Sequence, residues 1–184
     1  GMLAQEVRIS RQLNHSRIVP ILAAQLAQPP FYVVMPRIRG ATLDAALQRY
    51  GRVALPAALW ITRQLSEALM EVHRAGWIHA DLGPANLIVQ PNGTVSLLDF
   101  CLSLPCRHGL HEEQDKGGFS KGHRDDGLPT DRQAVGPSAD PNWVVGTPAY
   151  AAPEVFLPRE SRTPAIDLYA VGVLLFQLAT GRLP

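Results

Sequence analysis

Residues 79–100 read His79-Ala80-Asp81-Leu82-Gly83-Pro84-Ala85-Asn86-Leu87-Ile88-Val89-Gln90-Pro91-Asn92-Gly93-Thr94-Val95-Ser96-Leu97-Leu98-Asp99-Phe100. Two strand-like runs, 87–90 and 94–98, flank Pro91-Asn92-Gly93, and Asn-Gly between such runs is a strong short-range hairpin signal. A two-residue Asn92-Gly93 loop, with positive φ at both places, sets Asn86 directly opposite Asp99 at the hairpin's open end. Side chains paired in that way lie ~5 Å apart. An amide and a carboxylate therefore converge, with a second carboxylate, Asp81, just upstream in a Gly/Pro-containing stretch.

Outward from this hairpin the pattern is mixed helix and strand. Leu3, Val7, Ile9 and Leu13 follow a weak helical period over 3–13. Ile18 to Ala24 reads as a strand, and Phe31-Tyr32-Val33-Val34-Met35 as a buried one closed by Pro36. Thr42 suits the N-cap of a helix through Tyr50. Pro56 opens a longer helix whose Ile61, Leu65, Leu69 and Val72 share one face, ended by Gly76. Residues 105–142 lose apolar periodicity and read as a long loop. Order returns at Trp143-Val144-Val145, and 165–180 is an apolar helix, hydrophobic nearly all round and therefore central.

Composition narrows the function classes. The chain has 184 residues, 46% hydrophobic and 18% charged, which fits one globular core and excludes a disordered chain. Seventeen Lys+Arg balance sixteen Asp+Glu, so there is no nucleic-acid or polybasic membrane footprint. The two cysteines, Cys101 and Cys106, make no disulfide framework; no signal peptide opens the sequence, and no apolar run spans a bilayer. A cytoplasmic setting follows as the expectation. The only lysines are Lys116 and Lys121.

His79–Asn86 resembles the protein-kinase catalytic loop, H-R-D-L-x-x-x-N. Asp99-Phe100-Cys101 resembles the D-F-G metal motif, and Gly146–Glu154 the segment ending in A-P-E. Asp167–Gly172 resembles the start of the family's central helix; Glu6, Leu13-Asn14-His15 and Ile18-Val19 resemble the end of its C helix. Five matches in the family's order identify the chain as similar to eukaryotic-type (Hanks-type) Ser/Thr protein kinases, truncated at both ends.

The resemblance implies an α+β, two-lobe fold. Residues 1–35 would supply the rest of the N-lobe (C helix, fourth and fifth strands) and 36–40 the hinge. Residues 41–184 would supply the C-lobe through the F helix, with a long activation segment at 99–154. It also implies ATP and Mg²⁺ as cofactors and a protein Ser/Thr hydroxyl as acceptor. Phosphoryl transfer is mostly positioning and charge neutralisation. Asp81 would accept the hydroxyl proton, Thr147 would seat the catalytic loop, and Asn86 and Asp99 would hold Mg²⁺ with oxygen ligands. Met35, Pro36 and Ile38 would border the adenine, and Glu6 would be the C-helix glutamate. Asp167 would anchor the catalytic-loop backbone, and His79 would be structural.

Departures from the pattern frame two further readings. No lysine precedes position 116, Ala80 stands for the loop arginine, Gly83 for its lysine and Cys101 for the metal-motif glycine. These favour a pseudokinase, a binding or scaffolding module without turnover. A small-molecule phosphotransferase of the aminoglycoside or choline type shares the loop but lacks counterparts of Gly146–Glu154 and the Asp167 helix. Cys101, Cys106, His108 and His111 offer metal-capable ligands in a spacing that fits no common zinc pattern. Ser120, Thr130 and Ser138 are polar loop residues open to modification.

Overall fold

The computed structural model describes residues 1–106, 147–156 and 162–184, all within one compact unit. The expectations at His108, His111, Ser120, Thr130, Ser138 and Trp143–Val145 lie outside the described residues.

Helix α1 (Met2–Ser10) buries Val7 and Ile9 and stops short of Leu13. Strands β1 (Ala23–Gln25) and β2 (Tyr32–Val34) pair antiparallel. The strand expected over 18–24 splits at Pro20, which has no N–H to give a ladder. Its first part instead crosses the hairpin edge, where Ile18 bridges Leu97, with Val19 N–H bonding Leu97 O at 3.0 Å. The strand expected to be buried is half open, with Phe31 and Tyr32 about half exposed.

Strand β3 (Ala41–Thr42) leads into α2 (Leu43–Tyr50), and Thr42 Oγ1 accepts the Ala45 N–H at 3.2 Å, as its N-cap role requires. Helix α3 (Leu55–Arg74) carries Pro56 in its first turn and buries Ala58, Ile61, Leu65, Leu69 and Val72. Strand β4 (Trp77–Ile78) follows. A single 3₁₀ turn (Pro84–Asn86) then feeds β5 (Leu87–Val89), β6 (Val95–Leu97) and β7 (Leu104–Pro105). The sheet order is β3-β5-β6, with β4 and β7 forming a separate ribbon. Helix α4 (Ala165–Thr180) packs on α3 and buries Val173, Leu174 and Leu178, while Leu168, Tyr169 and Phe176 are exposed; only one face of this apolar helix is central.

The hairpin forms with a register one residue from the expected one. Leu87 pairs with Leu97 and Val89 with Val95, so Asn86 faces Leu98, whose N–H bonds Asn86 O at 3.0 Å. The cause is Pro91. Its ring fixes φ near −65° and suits the second place of a four-residue turn, which is closed here by Gly93 N–H on Gln90 O at 2.9 Å. Only Gly93 takes positive φ, +81°, so the loop has three residues and Asn92 is an ordinary turn residue. Asp99 is therefore one residue beyond the position opposite Asn86, not its direct partner. Gly40 is required on the adjacent edge: a Cβ there would collide with the Val89 carbonyl oxygen.

A polar side chain clamps this hairpin to α3. Gln64, 2% exposed, accepts from Val95 N–H at 3.2 Å and donates to Gly93 O at 2.9 Å, and its oxygen also takes Arg17 Nε at 3.1 Å. Replacing Gln64 with Ala strands the buried Val95 N–H, and an unmade buried bond costs ~1–3 kcal/mol. Chemical denaturation should show Gln64→Ala destabilised by about 2–3 kcal/mol; a midpoint unchanged from wild type would remove the clamp from this account.

Candidate active site

The loop between β4 and β5 is shaped from beneath by one carboxylate. Asp167, 1% exposed on the first turn of α4, accepts His79 N–H through Oδ2 and Ala80 N–H through Oδ1, both at 2.9 Å. His73 Nε2, from the last turn of α3, lies 2.7 Å from the same Oδ2. Ala80 adopts φ 64°. That region costs an L-residue roughly 1–2 kcal/mol, so the two amide bonds hold a turn the sequence would not choose locally. His79 is wholly buried, its ring 5.1 Å from Phe100. Asp81 N–H approaches His79 Nδ1 at 3.4 Å, so Nε2 carries the proton given to Leu98 O at 3.1 Å. His79 therefore ties the loop to the hairpin, as a structural histidine should.

So positioned, Asp81 becomes the hub. Its Oδ1 accepts the Thr147 N–H at 3.0 Å and faces Thr147 Oγ1 at 3.4 Å. Asn86 Nδ2 donates to the Asp81 carbonyl at 2.8 Å and approaches its Oδ2 at 3.3 Å. Asp81, Asn86 and Thr147, 66 positions apart at the widest, are thus brought together. Gly83 lies beside Thr147, and a Cβ there would meet Thr147 Oγ1 at 3.5 Å, an ordinary contact.

Asn86 also lines a cavity of about 330 Å³ with Glu6, Met35, Asp99 and Cys101, and Ile88 and Leu98 add apolar wall. Asp99 sits at φ 65°, and its Oδ1 accepts Cys101 N–H at 2.9 Å, which turns the chain sharply after β6. Among the expected nucleotide-site residues, Met35 and Glu6 reach this cavity, whereas Pro36 and Ile38 lie in the 36–40 connection and are not among its lining residues. The residue types fit a hard cation: Asn86 and Asp99 both line this cavity and both carry side-chain oxygens.

Three contributors were not anticipated from sequence. Ser103 Oγ donates to His79 O at 3.2 Å, and His73 supports Asp167. Cys101 Sγ donates to Glu6 Oε2 at 3.2 Å, so the C-helix-like carboxylate is held by a thiol. Only His73 left a readable trace, as a polar residue one turn beyond Leu69 on the buried side of α3.

Comparison with known proteins agrees with this geometry. A sequence model of the protein kinase domain family matches residues 2–184. The chain is 30% identical over 182 residues to CBL-interacting serine/threonine-protein kinase 9 of Arabidopsis thaliana, covering 99% of this chain and 35% of that protein. It is 29% identical to serine/threonine-protein kinase PknA of Mycobacterium tuberculosis (97% and 36%) and 32% identical to CBL-interacting protein kinase 5 of Oryza sativa subsp. japonica (100% and 35%). The chain spans about a third of the length of these curated relatives.

Burial raises the Glu6 carboxyl above its usual 4.5; the Cys101 hydrogen bond opposes this and the nearby Asp99 charge adds to it. The folded carboxyl thus holds its proton more tightly than the unfolded one. Its contribution to stability is full below about 4.5 and is lost as pH climbs through the raised value. Glu6→Gln should flatten that part of the stability–pH profile and leave the acid side unchanged. A slope in the variant equal to wild type would show that Glu6 does not titrate in this way.

Proposed function

The chain belongs to the protein kinase domain family, and on that premise we propose that it forms the core of a Ser/Thr-type protein kinase. The observation that carries this reading is the double engagement of Asp81 by Thr147 and Asn86, a carboxylate held by two segments 66 and 5 positions away. Residues 1–35 serve as the remainder of an N-lobe, 36–40 as the hinge and 41–184 as the C-lobe. The setting is cytosolic, in keeping with two free cysteines; among the described residues, no helix is long and apolar enough to cross a membrane.

In this reading an Asp81 carboxylate oxygen takes the proton of a protein Ser or Thr hydroxyl as the hydroxyl oxygen bonds to the γ-phosphorus of ATP and the bond from that phosphorus to ADP breaks. Thr147 fixes the bearing of Asp81 through its N–H, and its hydroxyl marks the place of the acceptor. Met35, Ile88 and Leu98 supply the apolar surroundings of the base, and the backbone at Pro36 and Ile38 its polar edge. Asn86 and Asp99 would hold Mg²⁺, which supplies charge neutralisation on the phosphates. Gly83 leaves the loop without a cation beside the transferred group, which lowers the attainable rate.

A binding module without turnover is the second reading, favoured by one contact: Glu6 engages the Cys101 thiol and, among the described residues, no cation. Incubating the protein with Mg-ATP and a Ser/Thr-containing protein substrate separates the two. Transfer should occur, and Asp81→Asn should reduce it about a hundred- to ten-thousandfold. Nucleotide binding without any transfer, or a rate indifferent to Asp81→Asn, would overturn the enzyme reading.

A further inference from the structure

The loop after β6 brings two kinds of donor against α1. Glu6 offers a carboxylate oxygen, Asp99 another and Cys101 a sulfur, all within 4.8 Å of one another although Glu6 and Cys101 are 95 positions apart in sequence. Glu6 is 5% exposed, so one wall of this cluster is dry. All three side chains also line the cavity of about 330 Å³, so the opposite side can admit a small ligand.

Chemistry and spacing point the same way. Cys101 Sγ is 3.2 Å from Glu6 Oε2. In a tetrahedral zinc site, metal–sulfur and metal–oxygen bonds of about 2.3 and 2.0–2.2 Å set a sulfur and an oxygen ~3.5 Å apart. The observed pair needs to open by only a few tenths of an ångström. The cluster thus offers one sulfur and two carboxylate oxygens at ligand spacing, a mixed donor set that a zinc-class ion accepts.

We infer that Glu6, Asp99 and Cys101 form a binding site for a thiophilic divalent cation of the zinc class, with its fourth position open to cavity water. Binding exchanges the Cys101 S–H bond for a metal–sulfur bond and releases that proton to solvent. The site differs in kind from an oxygen-lined Mg²⁺ site on Asn86 and Asp99, because thiolate is a soft ligand that Mg²⁺ does not favour. The two sites share Asp99, so a thiophilic ion here withdraws that carboxylate from nucleotide-bound metal. None of this depends on phosphoryl transfer, so the site can stand or fall separately from the kinase reading.

Co²⁺ is the probe, since a cobalt–thiolate bond gives a charge-transfer absorption that oxygen ligands do not. Titrating the protein with Co²⁺ should produce that band in wild type and in Cys106→Ser. An equal concentration of Zn²⁺ should bleach it and Mg²⁺ should not. Cys101→Ser should show no band while keeping the wild-type circular dichroism. Glu6→Gln, which leaves the sulfur in place, should weaken Co²⁺ binding by about tenfold or more. No band in wild type, a band that survives Cys101→Ser, or Co²⁺ affinity unchanged in Glu6→Gln would overturn the assignment.

Discussion

The buried Asp167 carboxylate is the constraint on which the rest of the site depends. Its two oxygens are divided between consecutive backbone N–H groups, of His79 and Ala80, which would otherwise be unpaired deep in the protein. Taking an acid to 1% exposure is costly unless its oxygens are occupied, and here three donors from two other segments occupy them. In return Ala80 is held at a φ unfavourable for a side-chain-bearing residue, and that turn sends Asp81 out toward Thr147. The helix packing of α3 on α4 is thus converted into the direction of one functional carboxylate.

A second consequence concerns the metal-motif end of the site. Where a glycine would leave the segment free to move, Cys101 has a side chain that reaches back to Glu6. The contact joins α1 to the loop after β6 through a thiol. It also makes Glu6 and Asp99 close neighbours, so charge accumulates at a point where the described residues place no lysine. The same substitution that argues for a less mobile loop also creates the mixed oxygen–sulfur cluster. On the two proposals made above, nucleotide-bound Mg²⁺ and a soft metal would compete for Asp99.

Much of this was legible because it rests on local rules. Thr42 as a cap, Pro56 in a first turn and the apolar spacing of 61, 65, 69 and 72 each follow from one short stretch of chain. The order of motifs from Glu6 to Asp167 identified the fold and the company of Asp81, Asn86, Asp99 and Thr147. The hairpin shows where local reading stops. Asn-Gly suggested a two-residue loop, but Pro91 preset the turn one residue earlier and shifted every pair. Gln64 sits at helical spacing on an apolar face, a signal that a buried polar clamp was present, yet its partners lie on another element. The Cys101–Glu6 bond joins residues 95 positions apart and has no trace in either neighbourhood.

Amide hydrogen exchange of wild type against Asp167→Ala tests the central claim most directly. The His79 and Ala80 amides should be strongly protected in wild type. In Asp167→Ala they should lose protection together with Asp81, while amides within α3 around Leu65 and Leu69 keep theirs. Equal protection at His79 and Ala80 in both proteins would contradict the account, because the loop would then be held by something other than the Asp167 carboxylate.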